Sequence, residues 1–363
     1  MSQFCQQSAG LSDEQYWRGF SKNVLDLRVP FSGSLELTRR CNLGCVHCYD
    51  RAEAGEDPSS LELSAERWKE LIGEIKEAGC LYLLLTGGEP LLRQDFPEIY
   101  AHAKRNGFLV TVFTNGTLVS DRISELFREL PPRLVEISLY GASAETHDRI
   151  TGIPGSFQQA RQGIAKLSEQ EIPVGLKSML MTLNASEMPA IEGLARDLGL
   201  KFRLDAALFP TFDGDRSPLD LRVPPRQAVE QEFSDPGRAQ EAREFFARYR
   251  GVRAGNSVYT CGAGMTTFHV DAQGYLHPCV MANRRRYSLE AGFPRAWDGS
   301  ISRIREDVTV SASECRDCEK KLLCGYCPGL FELENGHEQS PSEYLCSLGK
   351  LRYEYITQGS FGG

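Results

Sequence analysis

The sequence lacks a long apolar run, a targeting signal and a strongly basic segment. No stretch of ~18 consecutive apolar residues occurs, so no membrane-spanning helix is predicted. The first residues, MSQFCQQSAGLSDEQ, do not show the basic and then apolar pattern of a secretory signal peptide. The net charge is −8, and the strongest basic cluster, Arg284–Arg286, is typical of a solvated surface. We therefore predict a cytoplasmic protein that binds neither a membrane nor nucleic acid.

Cysteine, in contrast, is abundant. The 363-residue chain contains 12 cysteines, although the reducing cytosol disfavours disulfides. Thiolate ligation of zinc or of iron–sulfur clusters is the expected alternative. Cys5 and Cys80 stand alone and are predicted to be small buried or incidental residues. The other cysteines form two groups, one at 41–48 and one at 261–346.

Apolar strand-like runs alternate with helical segments over residues 35–208. The segment 65–79 has Trp68, Leu71, Ile72 and Ile75 at helical spacing, and LYLLLTGGEP (81–90) is typical of a buried parallel strand and its loop. About six β/α units predict an α/β fold with a parallel sheet, either open and doubly wound or an incomplete barrel. The further predicted strands are 35–39, 108–113, 134–141, 174–182 and 201–208, and the further helices are 119–130, 156–170 and 186–198.

Functional loops follow the carboxyl ends of parallel strands in both architectures. Four motifs lie at or just after the carboxyl end of a predicted strand: the first cysteine group, Gly87–Glu89, Thr114–Gly116 and Ser138–Gly141. We therefore expect these four loops to converge on one face of the sheet.

The first group has the spacing CxxxCxxC, formed by Cys41, Cys45 and Cys48. A [4Fe–4S] cube bound by three cysteines keeps one iron open for a cofactor or substrate, as a catalytic zinc keeps an open position. The next cysteine, Cys80, lies 32 positions on, so a closed cluster is not expected. The alternative is a zinc site with His47 as fourth ligand, which its position next to Cys48 makes difficult.

The cysteine triplet and the GGEP loop together resemble the motifs of radical S-adenosylmethionine (SAM) enzymes, over about residues 33–206. The resemblance implies an incomplete (β/α)6 TIM-like barrel and a [4Fe–4S] cluster whose open iron is chelated by SAM. It further implies that one electron splits SAM into methionine and a 5′-deoxyadenosyl radical, which abstracts hydrogen from the substrate. The protein would be an oxidoreductase.

The resemblance also implies roles for the loop residues. Gly87 and Gly88 would let the backbone approach the methionine end of SAM, and Glu89 would accept a hydrogen bond from its amino group. Thr114 and Asn115 would lie near the ribose and adenine.

Three further residues are assigned in the same way. Ser138 would contact polar groups of SAM, and Arg149 would contact its carboxylate. Many relatives carry that arginine at the position of Thr151, so a surface role for Arg149 is the alternative. Asp205, as a catalytic residue, and Arg203 would face the barrel mouth, with structural ion pairing as the alternative.

The second group includes the segment TTFHVDAQGYLHPC, which follows Cys261 and ends at Cys279, and this segment predicts a β-hairpin with its turn at Asp271–Gly274. CRDC and CGYC alone could form a zinc ribbon. Joined to the first motifs, the layout resembles the SPASM extension, which holds up to two auxiliary [4Fe–4S] clusters, although the last gap is one residue shorter. By this resemblance one cluster would be held by Cys315, Cys318, Cys324 and Cys346, and the other, with an open iron, by Cys261, Cys279 and Cys327.

The resulting domain prediction has five parts. They are an N-terminal extension (1–32), the radical SAM partial barrel (33–206), a bridging segment that covers the substrate (207–260), the SPASM domain (261–350) and a C-terminal tail (351–363).

Relatives with this pair of domains mature ribosomally made peptides (RiPP maturation) by crosslinking or oxidising side chains. We therefore predict a peptide maturase whose partners are a precursor peptide and a flavodoxin- or ferredoxin-type reductant. Forty residues precede Cys41, too few for a leader-recognition domain, so we expect a separate leader-binding protein or direct binding of the core peptide. The alternatives are a heme precursor as substrate, a sulfatase-type formylglycine maturase, and a nonenzymatic electron carrier or zinc scaffold.

Overall fold

Nine strands form one sheet in the computed structural model, which describes residues 12–50, 58–251, 257–307 and 314–359. Cys5 lies outside these residues. None of the described helices is long and apolar enough to cross a membrane. The strands are β1 (Ser32–Glu36), β2 (Tyr82–Thr86), β3 (Leu109–Thr114), β4 (Leu134–Ser138), β5 (Val174–Met179), β6 (Lys201–Asp205), β7 (Thr267–Val270), β8 (Tyr275–His277) and β9 (Tyr287–Ser288).

The strand order is β6-β5-β4-β3-β2-β1-β7-β8-β9. Strands β1 to β6 are parallel, which confirms the predicted β/α alternation. The hairpin predicted from TTFHVDAQGYLHPC is also confirmed, because β7 and β8 pair antiparallel with His269 opposite His277. Strand β7 pairs parallel with β1, so the C-terminal region continues the sheet of the barrel.

Helices cover the outer face of the sheet. Helix α2 shows why they form: Ser64 caps its first turn by accepting from Arg67 N at 3.2 Å, and Trp68, Leu71 and Ile75 line its buried face. The helices are α1 (Asp13–Asp26), α2 (Ala65–Glu77), α3 (Phe96–Arg105), α4 (Asp121–Glu129), α5 (Ala144–Thr151), α6 (Ser156–Glu169), α7 (Met188–Asp197), α8 (Pro225–Phe233), α9 (Pro236–Tyr249), α10 (Phe293–Arg295), α11 (Pro328–Asn335) and α12 (Glu343–Gln358).

The two faces of the strands differ in character. Outward residues such as Leu35, Leu85 and Val112 are fully buried beneath the helices. The alternate residues face the inside of the barrel, which we call the lumen, and several of them are charged. Strand β6 is the last strand of the sheet, so the barrel is incomplete. The lumen-facing charged residues of β1, β4, β5 and β6 include Glu36, Glu136, Lys177, Arg203 and Asp205.

The bounds of the first predicted strand were wrong, and helices occur where none was predicted. The first strand begins at Ser32 and ends at Glu36 rather than spanning 35–39, because its pairing with β2 runs from Ser32 to Glu36. The bridging segment 207–260, which shows no clear periodicity, contains helices α8 and α9. Helix α5 was not predicted, although Ser143 caps it by accepting from Thr146 N.

Candidate active site

The first cysteine loop leaves the carboxyl end of β1 and is tied to the end of α5. Gly44 N donates to Thr151 O at 2.8 Å, and Val46 N donates to Ile150 O at 2.9 Å. Both are backbone bonds, so they fix the path of the loop independently of its side chains. Helix α5 thus positions the three cysteines.

The thiols of Cys41, Cys45 and Cys48 are all close enough to Tyr140 for their charges to act on its phenol. Desolvation raises the pKa of this phenol, and all three thiols raise it further. Cys41 is exposed on one side, yet neighbouring atoms desolvate its thiol and raise its pKa to about 11, with Glu89 and Cys48 adding to the rise. A metal cluster would supply the positive charge that such a group of thiolates needs.

A single metal ion requires its ligand atoms to lie closer together than an iron–sulfur cluster does. Within the described residues, no three His, Cys, Asp or Glu side chains are grouped closely enough to hold one ion. The zinc site considered with His47 would need such a group. In a cube each thiolate binds a different iron atom, so the sulfur atoms stand farther apart.

The Gly87–Gly88 pair lets the loop after β2 pack on the backbone that enters the cysteine loop. A Cβ on Gly88 would lie 2.4 Å from the carbonyl oxygen of Arg40, and one on Gly87 would lie 2.4 Å from that of Thr38. Gly88 N donates to Thr38 O at 2.7 Å, and Glu89 N donates to Arg40 O at 2.8 Å. The two glycines therefore have a packing role inside the protein, in addition to the predicted contact with SAM.

Glu89 is fully buried and organises the next loop. Its Oε1 accepts from the Thr114 hydroxyl at 2.7 Å and from Leu91 N at 3.0 Å, and its Oε2 accepts from Asn115 N at 2.7 Å. Burial raises the pKa of Glu89 to about 7, although these bonds and the charge of Lys177 lower it. A carboxylate has about four lone-pair positions, so one acceptor position remains for a ligand.

Asn115 connects this loop to the first cysteine. Its Nδ2 lies 3.9 Å from the sulfur of Cys41 and donates to Asn42 Oδ1 at 2.9 Å. Its Oδ1 accepts from the hydroxyl of Thr117 at 2.7 Å, and Asn42 Nδ2 donates to the same hydroxyl at 2.8 Å. Sequence reasoning missed Asn42 and Thr117, because loop residues of these types carry no spacing signal.

The fourth strand reaches the cysteine loop through Tyr140. The side chain of Ser138, at the end of β4, lies close to the Tyr140 phenol and lowers its pKa. The Tyr140 ring packs edge-on against His47 with centroids 4.5 Å apart, and Tyr140 N donates to His147 Nδ1 at 3.1 Å. Burial lowers the pKa of His147 to about 4, so this imidazole is a neutral acceptor. The structure thus brings the four predicted loops together on one face.

Lys177, on β5, is the centre of a charged group in the lumen. Its ammonium lies 3.6 Å from the centroid of the Phe113 ring. Desolvation lowers the pKa of Lys177 to about 8, because the cost of burying the ammonium outweighs the attraction of nearby carboxylates. Sequence reasoning missed this residue, since one lysine in VGLKSMLMT looks like an ordinary strand position. The charged neighbours are Glu136, Arg203, Glu89 and Asp205.

The remaining predicted residues lie farther from the cysteine loop or at its side. Arg203 is exposed on the lumen face and pairs with Glu136 at 2.7 Å. Asp205 is exposed at the end of β6 and accepts a backbone hydrogen bond at 2.9 Å. Arg149 is exposed in the last turn of α5 and donates to Leu183 O at 3.0 Å. The structure therefore places Asp205 beside Lys177 and engages Arg149 with backbone.

The bridging segment packs on the cysteine loop. The rings of Phe209 and Phe212 both lie 5.1 Å from the ring of Tyr49, which follows Cys48. Phe212 N also donates to Tyr49 O at 2.8 Å. Two phenylalanines of the segment therefore lie against the loop that carries the cysteine triplet.

Arg222 ties the same segment to the C-terminal region. It donates to both carboxylate oxygens of Glu334, at 3.1 and 2.7 Å, and also to Leu208 O. Its guanidinium lies 4.5 Å from the centroid of the Tyr344 ring. Both charged side chains are almost buried, so this bidentate pair is well shielded from water.

The cysteines of the C-terminal group separate into two sets. Burial raises the pKa of Cys324 to about 12, and three neighbouring thiols raise it further. Burial raises the pKa of Cys279 to about 12 in the same way, with two neighbouring thiols adding to it. The four-cysteine set is Cys315, Cys318, Cys324 and Cys346, and the three-cysteine set is Cys261, Cys279 and Cys327. Cys80 belongs to neither set and is buried, with its sulfur 3.4 Å from Tyr82 O.

Helix α12 closes over the four-cysteine set. A Cβ on Gly349 would lie 2.5 Å from the Cβ of Cys324. Only glycine allows the helix that carries Cys346 to come this close to Cys324. This packing was not predicted from the sequence.

Comparison with known proteins identifies the family. A family model described as the Radical SAM superfamily matches residues 35–197. The AdoMet-dependent heme synthase of Methanosarcina barkeri (strain Fusaro / DSM 804) is 31% identical over 316 residues, covering 80% of this chain and 89% of that protein. The chain belongs to the radical SAM superfamily.

Two other proteins are similar over most of the chain. The mycofactocin maturase MftC of Mycolicibacterium smegmatis (strain ATCC 700084 / mc(2)155) is 29% identical over 320 residues, covering 84% of this chain and 78% of that protein. The crystal structure of Streptococcus suis SuiB bound to precursor peptide SuiA covers 93% of this chain and 82% of its own, with a TM-score of 0.69 and 14% identity. At this identity the likeness shows the fold alone, and it includes the C-terminal cysteine region.

Membership of the radical SAM superfamily confirms two predictions. The chain has an α/β partial barrel, and it is an enzyme. The family also implies SAM and one [4Fe–4S] cluster as cofactors. The number of auxiliary clusters and the roles of single residues remain predictions.

Proposed function

We propose that this radical SAM enzyme abstracts hydrogen from a side chain of a ribosomally made precursor peptide and yields a crosslinked or oxidised peptide. The charge of the lumen carries the proposal. Three carboxylates, those of Glu89, Glu136 and Asp205, stand around the two cations of Lys177 and Arg203. A peptide offers neutral and mixed-charge groups to such a lumen. A porphyrin that carries several carboxylates would instead bind best to cations that are not already paired with carboxylates of the protein.

Two relatives support a peptide substrate. SuiB has been solved with its precursor peptide SuiA, and MftC is named a mycofactocin maturase. Both are similar to this chain over more than four fifths of its length. We extend their kind of substrate to this chain as a proposal.

The cofactor site follows from the converging loops. We assign Cys41, Cys45 and Cys48 as the ligands of the SAM-binding cluster. Together with SAM this cluster supplies, when bound, a 5′-deoxyadenosyl radical for hydrogen abstraction. The remaining acceptor position of Glu89 receives the amino group of SAM, with Gly87 beside it.

The other SAM contacts come from the neighbouring loops. Thr114 and Asn115 hold the ribose and adenine side, and Ser138 contacts polar groups from the fourth strand. Gly88 keeps the first two loops in register, and Arg149 contacts the carboxylate from the edge of the site.

The C-terminal cysteines hold two auxiliary [4Fe–4S] clusters in this proposal. The four-cysteine set provides a complete ligand shell, whereas the three-cysteine set keeps one iron open for another ligand. Asp205 faces the substrate from the end of β6. A flavodoxin- or ferredoxin-type protein supplies electrons, and a separate protein presents the leader peptide.

A heme precursor is the second candidate substrate. The heme synthase of M. barkeri is 31% identical to this chain and covers 80% of it, slightly more identical than MftC. A porphyrin carboxylate would have to displace an acid from Lys177 or Arg203 to bind in the lumen.

Substrate-stimulated cleavage of SAM separates the two candidates. The reconstituted enzyme is incubated anaerobically with SAM, dithionite and either a short peptide encoded beside its gene or an iron porphyrin bearing propionates. We expect the peptide, and not the porphyrin, to stimulate the formation of 5′-deoxyadenosine. Mass spectrometry should then show that the peptide has lost two hydrogen atoms. Stimulation by the porphyrin, with loss of its carboxylates, would replace the peptide proposal by the heme-precursor one.

A pair of variants on one strand tests the role of Asp205. Asp205→Asn should lower peptide conversion and leave the slow cleavage of SAM without peptide unchanged. Lys201→Gln, on the same face at the opposite end of β6, is the matched control and should convert peptide normally. Equal conversion by both variants would remove Asp205 from the catalytic site.

A further inference from the structure

A lysine lies within the four-cysteine set. Lys321 occupies a single 3-10 turn, Glu319–Leu322, between Cys318 and Cys324. Lys321 N donates to Cys318 O at 3.2 Å, and the sulfur of Cys324 lies 3.5 Å from Lys321 O. The backbone of this lysine is therefore fixed to two members of the set.

The side chain of Lys321 is fixed as well. Its ammonium lies 3.9 Å from the centroid of the Tyr326 ring, within the range of a cation–π contact. That ring is held in turn, because its hydroxyl donates to Val258 O at 3.0 Å and its edge meets Phe331 at a centroid distance of 5.3 Å. The aromatic ring thus keeps the ammonium from swinging into solvent.

The charges around Lys321 are those of the thiols. Burial lowers the pKa of Lys321, whereas Cys315, Cys324 and Cys318 raise it. Within the part of the chain that the structure describes, Lys321 forms no ion pair with a carboxylate. The adjacent Lys320 differs, because its ammonium lies 3.6 Å from a carboxylate oxygen of Glu319.

We propose that Lys321 sets the reduction potential of the auxiliary cluster held by the four-cysteine set. Its ammonium stabilises the extra negative charge of the reduced cluster, and Tyr326 positions that ammonium. The potential of an iron–sulfur cluster depends on local charge and hydrogen bonding, so a fixed cation raises it. The inference rests on the proposed function, since it requires the auxiliary clusters.

The test measures the potential of the cluster rather than turnover. Cys41, Cys45 and Cys48 are replaced by alanine in the full chain, so that only auxiliary clusters give EPR signals after reconstitution. Reductive titration then compares this background with the same background carrying Lys321→Gln, Lys321→Arg or Lys320→Gln. A Cys318→Ala variant assigns the signal of the four-cysteine set.

We expect Lys321→Gln to change the ratio of reduced to oxidised cluster about tenfold at a fixed potential, a fall of ~59 mV for one electron. Lys321→Arg keeps the charge and should keep the potential. Lys320→Gln removes an equal charge one residue away. Because Lys320 pairs with Glu319, this variant should leave the reduction potential unchanged.

Unchanged potentials in a fully loaded Lys321→Gln chain would overturn the proposal, and so would an equal shift in Lys320→Gln. If Lys321→Gln loads no cluster while Lys321→Arg loads normally, the cation is required beside the cluster, which supports the proposal. If Lys321→Arg also fails to load, the lysine has a packing role and the proposal is wrong. If the chain that lacks Cys41, Cys45 and Cys48 binds no iron, the auxiliary clusters of the proposed function are refuted. Iron analysis detects this outcome before any titration is made.

Discussion

A single methyl group at position 88 tests the packing that joins two loops of the radical SAM site. In Gly88→Ala the new Cβ would lie 2.4 Å from Arg40 O and 2.7 Å from Arg39 O. Both oxygens belong to the backbone and cannot rotate away. The loops must separate by about 0.6 Å to reach 3.0 Å, the shortest distance that Cβ atoms tolerate. Arg40 precedes Cys41, so this movement also displaces the first cluster ligand.

The cost can be estimated from two contributions. Overpacking costs about 1–3 kcal/mol. The separation also weakens the hydrogen bonds from Gly88 N to Thr38 O and from Glu89 N to Arg40 O, each worth about 0.5–1.5 kcal/mol. We therefore expect Gly88→Ala to lower the free energy of unfolding by about 2–6 kcal/mol, the upper value applying if both hydrogen bonds are lost, and to reduce iron retention at the first cluster.

Urea unfolding of the metal-free chain, followed by circular dichroism, measures this change, and iron analysis of the reconstituted protein measures the second effect. Gly73→Ala is the matched control. Gly73 lies inside α2, and apart from its chain neighbours and the backbone of the helix itself no atom lies within 4 Å of the point that a methyl group would occupy, so alanine should stabilise the chain by about 0.5–1 kcal/mol. A Gly88→Ala chain with the stability and iron content of the unmodified chain would refute the packing account.

Three further predictions concern single side chains. Arg222→Met removes the cation that pairs with Glu334, which among the described residues keeps only the Ser342 hydroxyl as a side-chain donor at 3.0 Å, and should lower the free energy of unfolding by about 3–5 kcal/mol. Lys22→Gln, in an exposed pair, should lower it by less than about 0.5 kcal/mol, and equal urea midpoints for the two variants would contradict this prediction. Burial holds the pKa of His147 at about 4, below its usual 6.5, so the unfolded chain binds more protons between these values and stability rises with pH from about 4 to 6.5. His147→Asn keeps a hydrogen-bond acceptor but does not titrate, so it should reduce this rise in the free energy of unfolding by up to about 3 kcal/mol. Urea unfolding measured across that pH range tests this, and an unchanged pH profile would refute the role given to His147. Cys346→Ala should remove about four irons per chain and leave SAM cleavage without peptide intact, whereas an unchanged iron content would exclude Cys346 as a ligand.

The sequence predicted those parts of the molecule that depend on local pattern. The β/α alternation is visible because Leu83, Leu85 and similar strand residues are buried against helices whose own apolar positions recur at helical spacing. The loops of the site were found because metal ligation and tight backbone packing restrict residue type, as in Cys41 and Gly88.

The charged group of the lumen could not be predicted in the same way. Glu136 and Arg203 lie 67 positions apart, and only the register of β4, β5 and β6 brings them to the same face as Lys177. Asp205 and Arg203 were predicted to face the barrel mouth because they lie at the end of a strand, but the residues that surround them depend on that register.

The continuation of the sheet into the C-terminal region was also hidden. Ser34 of β1 pairs with His269 of β7, and no local pattern in either strand specifies so distant a partner. The contact of Gly349 with Cys324 was hidden as well, because it depends on how α12 packs. A glycine within a helical segment does not by itself indicate which residue it contacts.

The most direct test of the account is a count of iron and sulfide on the anaerobically reconstituted chain, followed by incubation with SAM and dithionite. We predict about twelve irons per chain, for three cubes, and formation of 5′-deoxyadenosine. About four irons with SAM cleavage would contradict the auxiliary clusters while keeping the radical SAM core. Zinc in place of iron, without SAM cleavage, would contradict the proposed chemistry as a whole.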